Sequence, residues 1–490
     1  MRFYQTSSST NECAVLPEIS DEYEMNHLQI RFWAAVQSSQ GTLKIGIMES
    51  QNDASTFTSI QEVTISNTYS NGFQEFTVPF SSYAGNGRYI AFMCGTGSNY
   101  AYFLIDDITV EEIPSTFTKD ITGYGSSEDA CYYLISSPIG TVDVENVTNL
   151  ITNSYDLYYF NQSQDLEWRN YKDSHFNLVS GKGYLYANSE DVTLTFTGVP
   201  YNGNGEVTLT KADNMDWSGW NLVGNPFAQT AYINKPFYKM NQDGTALSAT
   251  TSTGAIDAME GVFVNAASDG ETLTFSTSEL GKQAASLMLN VTQKRGASTS
   301  SATIDRAIIS FSEESPLPKF QLNPNHTKVY IPQDGKDYAV VHREGIGELP
   351  INFKAEEDGT YTLAFSSEDV AFNYLHLIDN MTGMDVDLLQ NSSYSFGARK
   401  SDYASRFRLV FSANGNASDD NDVFAFFSND KLVVLNEGKA TLQVVDVMGR
   451  VLCTKQISGN AEVRLSQPSG LYMLRLTNGS DVKVQKVVVK

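Results

Sequence analysis

Apolar and polar residues alternate along this chain with a period of two, not the 3.6 of a helix. Leu28 to Val36 (LQIRFWAAV), Leu43 to Met48 (LKIGIM), Phe73 to Phe80 (FQEFTVPF), Arg88 to Met93 (RYIAFM) and Tyr102 to Val110 (YFLIDDITV) run at strand length between turns of Gly, Asn and Ser. Successive side chains of a strand point to opposite faces, so this pattern buries one side of a sheet and wets the other. About seven such strands and no helical stripe predict an antiparallel sandwich over residues 1–114.

The next region repeats itself. Tyr132 to Pro138 (YYLISSP) returns as Trp220 to Pro226 (WNLVGNP), and Tyr158 to Gln162 is echoed by Phe237 to Gln242. GKGYLYA from Gly181 is matched by EGVFVNA from Glu260, and LTFTG from Leu194 by LTFS from Leu273. The offset is 88 at the prolines and falls to about 79 later, so the copies differ by loop length. Val192, Leu194 and Phe196 share one strand face with threonines on the other. Residues 115–280 are therefore expected to be a duplicated β unit whose halves pack face to face as one sandwich, with Trp217 and Trp220 in its core.

A third sandwich is predicted over 284–413, with strands at Lys328 to Ile331, Tyr338 to His342, Thr360 to Phe365, Tyr374 to Ile378 and Phe407 to Phe411. Gln293 to Thr303 (QKRGASTSSAT) interrupts it as a long hairpin loop, and Ser412 to Asp422 (SANGNASDDND) marks its end. A small immunoglobulin-like domain over 420–490 follows. There Ala440 to Val447 and Val451 to Gln456 flank a Met448-Gly449-Arg450 turn, and Ala461 to Leu465, Gly470 to Leu476 and Val482 to Val489 complete it. So few residues make a thin core, which leans on its neighbour. The fold class is all-β, a series of antiparallel sandwiches.

Composition narrows the role. At 490 residues the chain calls for about three to five domains. A net charge of −24, from 57 acidic and 33 basic residues, disfavours nucleic acid or an anionic membrane as partner. No apolar run of about 18 residues supplies an integral membrane segment, and the opening MRFYQTSSSTNE has no signal-peptide pattern. Either the chain is intracellular or its start is a processing boundary. Four cysteines make no disulfide framework; Cys13 and Cys94 fall in one domain, where they pair or stay as two buried thiols, while Cys131 and Cys453 read as lone core residues.

Three stretches carry a resemblance. LKIGIM, STF at Ser55, YIAF at Tyr89 and LIDDITV at Leu104 resemble the jelly-roll modules of bacterial surface proteins related to cleaved adhesin and MAM-type domains. GWNLVGNPF at Gly219, YLHLIDNMTG at Tyr374 and SRFRLVF at Ser405 look like large secreted proteins of the Bacteroidota. LQVVDVMGRVL at Leu442, SGLYMLRL at Ser469 and VQKVVVK at Val484 are similar to the type A carboxy-terminal sorting domain of the type IX secretion system. The resemblance implies an exported protein, at the outer-membrane surface or extracellular, whose signal peptide has been removed.

Catalytic chemistry has little to stand on. His27, His175, His326, His342 and His376 are scattered singly, and neither a His-Glu-x-x-His nor a Gly-x-Ser-x-Gly occurs. Asp106 and Asp107 are adjacent in a strand, so one points inward only if its charge is compensated, by a bound Ca²⁺ or by buried hydrogen bonds. The resemblance adds that such jelly rolls hold structural Ca²⁺ with an aspartate of this kind. Asn241 to Gly244 (NQDG) reads as a hairpin turn. For ligands, Tyr69 and Tyr100 in the first domain, and Trp168 and Tyr171 in the polar run of the second, are the exposed aromatics that would suit sugar faces. The expected work is non-catalytic attachment to glycans or to a host or neighbouring-cell surface protein; the alternative is a structural spacer that exports an upstream catalytic domain.

Overall fold

The computed structural model describes every residue except 5–12, 38–39, 96–101, 126–130, 214, 242–243, 245, 280, 282–283, 294–302, 324, 414–423, 429–430 and 490. Strands dominate, and the only helices among the described residues are four 3₁₀ turns of three residues. No described helix is long and apolar enough to cross a membrane. The chain divides into two compact units, Met1–Thr116 with Thr197–Pro200, and Phe117–Phe196 with Tyr201–Lys490.

Eight strands lie wholly within the described residues of the first unit. One sheet orders Arg2–Tyr4, Tyr102–Glu112, Leu28–Val36 and Gln74–Pro79; the other orders Cys13–Glu18, Tyr89–Cys94, Gly41–Met48 and Thr58–Ile65. In chain order these are 1-8-3-6 and 2-7-4-5, the strand arrangement of a jelly roll. Ile30, Phe32, Ile45, Ile90, Phe92 and Phe103 fill the space between the sheets. Cys13 stands opposite Met93, so Cys13 and Cys94 face opposite sides of their sheet, with Cys94 inward.

The duplication is plain in the second unit. Tyr133–Ile135, Tyr184–Asn188, Tyr155–Phe160 and Trp168–Asn170 form one sheet; Trp220–Gly224, Gly261–Asn265, Phe237–Met240 and Leu247–Thr250 form another with the same order. The ladders correct the alignment by one residue. Ile135 opposes Tyr184 where Val223 opposes Val262, which sets Gly183 on Gly261 and Lys182 on Glu260, an offset of 78. The halves do not share a single core. Each keeps its own core, around Ile135, Leu157, Tyr186 and Phe196 in the first and around Val223, Phe237, Val262 and Phe275 in the second. Residues on the opposite strand faces, Leu134, Leu185, Leu222 and Phe263, meet in a separate cluster.

That cluster also takes Phe320, Ile308 and Val340, so the duplicated region and the third sandwich share apolar surface. Trp220 is buried there and Trp217 packs edge-on against Phe320 at 5.2 Å. In the third sandwich the described strands join into one eleven-stranded sheet. It folds over on itself, because Phe396, on the last strand of its path, meets Phe407, on the third strand from the other end, at 4.8 Å. The strands Ser286–Gln293 and Thr303–Ser310 pair across the interrupting stretch, whose residues 294–302 lie outside the described ones. The paired strands Phe237–Met240 and Leu247–Thr250 likewise bracket the NQDG turn.

The tail is a sandwich of three strands on four. Its core is Leu432, Val434, Leu442, Val444, Leu474 and Leu476, and Val433 packs against Tyr374 and Val410 of the third sandwich, so the small domain leans on its neighbour.

Candidate functional site

Asp106 and Asp107 sit where a ladder slips. Arg31 faces Thr109 and Trp33 faces Asp106, so Phe32 alone opposes Asp107 and Ile108. This bulge holds Asp107 at φ 48°, a left-handed conformation costly for a residue with a Cβ, and turns both carboxylates to solvent. The inward-pointing aspartate expected from strict alternation is thereby corrected: the extra residue breaks the period, and Asp106 Oδ1 accepts from Asp107 N at 3.1 Å. Among the described residues no three His, Cys, Asp or Glu gather at one point. Tyr69 is 64% exposed with Phe73 edge-on at 6.2 Å; Tyr100 lies outside the described residues.

Trp168 and Tyr171 are not exposed platforms. Trp168 opposes Phe160 across its hairpin, packs on that ring at 5.1 Å, and occupies the place that buried Leu247 holds in the second copy. Tyr171 is 4% exposed, within the first copy's core, stacked on His175 at 4.7 Å. Both belong to cores because a three-residue strand, Trp168–Asn170, runs through what reads as a polar loop.

The surfaces that remain open lie elsewhere. The two copies meet about a pseudo-two-fold: Gly224 N donates to Gly181 O at 3.0 Å, and Ser136 N to Met259 O at 3.2 Å. Isolated bridges pair Lys182 with Val223 and Glu260 with Ile135 in the same relation. On one side of this junction opens a cleft of about 540 Å³ lined by Tyr159, Phe176, Asn177, Lys182 and Thr208 among others. Gln162, 2% exposed, stiffens its floor, accepting from Ala212 N and Gly219 N and donating to Trp220 O.

The tail presents the other open surface. Val482, Val484, Lys486 and Val488 on the edge strand Asp481–Val489 stand beside Thr477, Arg475, Met473 and Leu471, all on the side away from the core. Val484 and Val488 are more than half exposed, as are Val447, Met448 and Val451 around the hairpin tip. Lys486 and Arg475 stand among these apolar side chains on the same face. Residues 428–490 also carry nine basic and five acidic side chains in a chain of net charge −24, so the end is electrostatically opposite to the rest.

A histidine–carboxylate pair was not legible in the sequence. His376 Nδ1 lies 2.7 Å from Asp385 Oδ1, and its ring stacks on Tyr374 at 4.1 Å. The hydrogen bond from His376 holds Asp385 below the usual carboxylate range. Glu462 lies near the Tyr374 hydroxyl, which burial first and that carboxylate next push well up.

Fold and surfaces together define an all-β protein of serial sandwiches whose last described domain is basic and carries exposed apolar side chains. Residues 428–490 match the family described as secretion system C-terminal sorting domain, the segment likened above to the type IX sorting domain. A stretch of 150 residues is 27% identical to the minor fimbrium subunit Mfa5 of Porphyromonas gingivalis, covering 29% of this chain and 12% of that protein. The chain thus spans about an eighth of that relative's length. A solved biofilm associated protein, its BSP domain, aligns over the whole chain and 65% of its own at 12% identity, but with a TM-score of 0.13 the likeness carries no weight.

Proposed function

We propose that the chain is a non-catalytic attachment protein of a Bacteroidota cell surface, exported by way of residues 428–490 and binding glycans or surface protein through its sandwiches. The observation that carries this reading is the sorting-domain match joined to a series of β-sandwiches. The stretch similar to a minor fimbrium subunit supports it. The basic tail with its apolar outer face is the part that engages the export machinery, and the acidic remainder is the part displayed.

The test is to produce the full chain, and the chain lacking 428–490, in a Bacteroidota host that has a type IX system. Protease accessibility on whole cells reports display, and adherence to glycan-coated beads with and without Ca²⁺ reports binding. Display that needs the tail, together with adherence above host cells lacking the chain, is expected. Display without adherence would instead favour the spacer role. A Ca²⁺ requirement that Asp106→Asn abolishes would place the cation at the jelly-roll bulge.

A further inference from the structure

We propose that the cleft between the two copies is a binding site for an acidic saccharide, with Lys182 receiving the sugar's carboxylate or sulfate. For its biological setting this rests on the attachment reading above.

The pseudo-two-fold supplies the comparison. On the opposite side of the junction Glu260, 9% exposed, pairs with Lys239 at 2.8 Å, and Lys239 reaches Asp257 at 3.2 Å. Lys119 lies within the field of Glu260 and Asp257. Charges of both signs close that side. The ladders assign the matching positions: Lys182 stands for Glu260, Tyr159 for Lys239 and Val179 for Asp257. Lys182 N donates to Val179 O just as Glu260 N donates to Asp257 O, which fixes the correspondence. In the cleft, then, the sign at the central position is inverted and both neighbouring charges are gone.

Lys182 is left as a cation without a counter-ion. None of the cleft's lining residues is Asp or Glu, in a chain that has 57 of them, and none of the ion pairs among the described residues includes Lys182. An anion from outside supplies what the second copy builds in. The rest of the wall suits a sugar. Tyr159 and Phe176 stand perpendicular at 5.0 Å, offering aromatic surface to apolar sugar faces, while Asn177 and Thr208 are exposed at the rim to meet hydroxyls. The volume falls in the range of small-molecule sites, about 300–1,000 Å³, and the floor tied by Gln162 is set before a ligand arrives.

The experiment titrates digalacturonate, a sulfated chondroitin disaccharide and neutral galactobiose into the full chain by calorimetry. At least one acidic sugar is expected to bind, with galactobiose about fivefold weaker or more, the reach of one partly screened charge pair. Lys182→Glu removes that preference and Tyr159→Ala weakens every sugar, while Lys336→Glu, in the third sandwich, changes neither. Equal binding of neutral and acidic sugars, no binding at all, or a Lys182→Glu protein that titrates like the parent overturns the proposal. Cells that adhere although the purified chain binds no acidic sugar overturn the cleft alone; a chain that binds the sugar but confers no adherence overturns the attachment reading alone.

Discussion

Replacing Arg406 by methionine strands a charge in the core of the third sandwich. Asp379 is fully enclosed and Arg406 is 3% exposed. Arg406 Nε and Nη2 donate to the two carboxylate oxygens at 3.1 and 2.8 Å, and Nη1 donates to Gly397 O at 2.7 Å. Tyr394 Oη and Met381 N donate to the same carboxylate at 3.1 and 3.0 Å. The guanidinium carbon also lies 4.5 Å from the Phe396 ring centre. Methionine keeps much of the stem's packing, so the loss is mainly electrostatic. Removing one partner of a buried pair costs about 3–5 kcal/mol, far more than removing one partner of a solvent-screened pair such as Arg31 with Glu75. Adding Asp379→Leu to Arg406→Met should recover at least about half of the deficit, because a buried pair exchanged whole for apolar side chains is often near neutral. Urea unfolding followed by tryptophan fluorescence reads this, since Trp168, Trp217 and Trp220 sit in the cluster that the third sandwich shares. The acid dependence has a definite sign. Burial pushes Asp379 up, but the Arg406 hydrogen bonds, the Met381 amide and the guanidinium charge outweigh it and hold the group below the usual carboxylate range. A depressed folded value contributes stability above the unfolded pKa of about 4, lost as pH falls through the folded value. Without Arg406 burial wins, so the penalty is largest at neutral pH and the gap between variant and parent should narrow as pH falls toward about 4. A deficit below about 1 kcal/mol at pH 7, or a double variant no better than the single one, would refute the reasoning.

Gly224→Ala should destabilise the junction of the copies by about 1–3 kcal/mol, since the new Cβ collides with Ser136 Cβ and with the Lys182 carbonyl 2.5 Å away. Ser136→Gly in the same background should restore only part of this in thermal unfolding, because the carbonyl stays; full restoration would show that the backbone gives way. Met259 and Asp107 both hold positive φ, at 58° and 48°, yet glycine should act oppositely at the two. Relieving the strain yields about 1 kcal/mol at each, but Met259 is 8% exposed in the first copy's core and its loss costs about 2–5 kcal/mol. Asp107→Gly should therefore raise the unfolding midpoint and Met259→Gly lower it; the same sign at both would count against the comparison.

The features that the sequence discloses are those that repeat locally. Alternation in LQIRFWAAV or TLQVVDV follows from a strand with one wet face, so the sandwiches and the tail's hairpin are legible residue by residue. The duplication is legible for the same reason, because the same contacts demand the same side chains at Leu134 and Leu222 or Tyr158 and Tyr238. What escapes is whatever depends on one extra residue or on a distant partner. A bulge opposite Phe32 leaves Asp106 and Asp107 both exposed, which no period of two allows for. Trp168 sits among polar neighbours, and only its pairing with Phe160 places it at the junction; its signal was the leucine that replaces it at position 247. Phe320 joins that cluster from far along the chain, beyond any local pattern. The cleft's charge asymmetry is intermediate. Both Lys182 and Glu260 stand in the repeated segments, but the repeat read from identities runs one residue out of step and hides their correspondence. Two copies of one ancestral strand pattern thus keep their apolar positions, where packing constrains both alike, and diverge at the position beside the two-fold, where one copy closes itself with an internal ion pair and the other leaves its charge for a ligand.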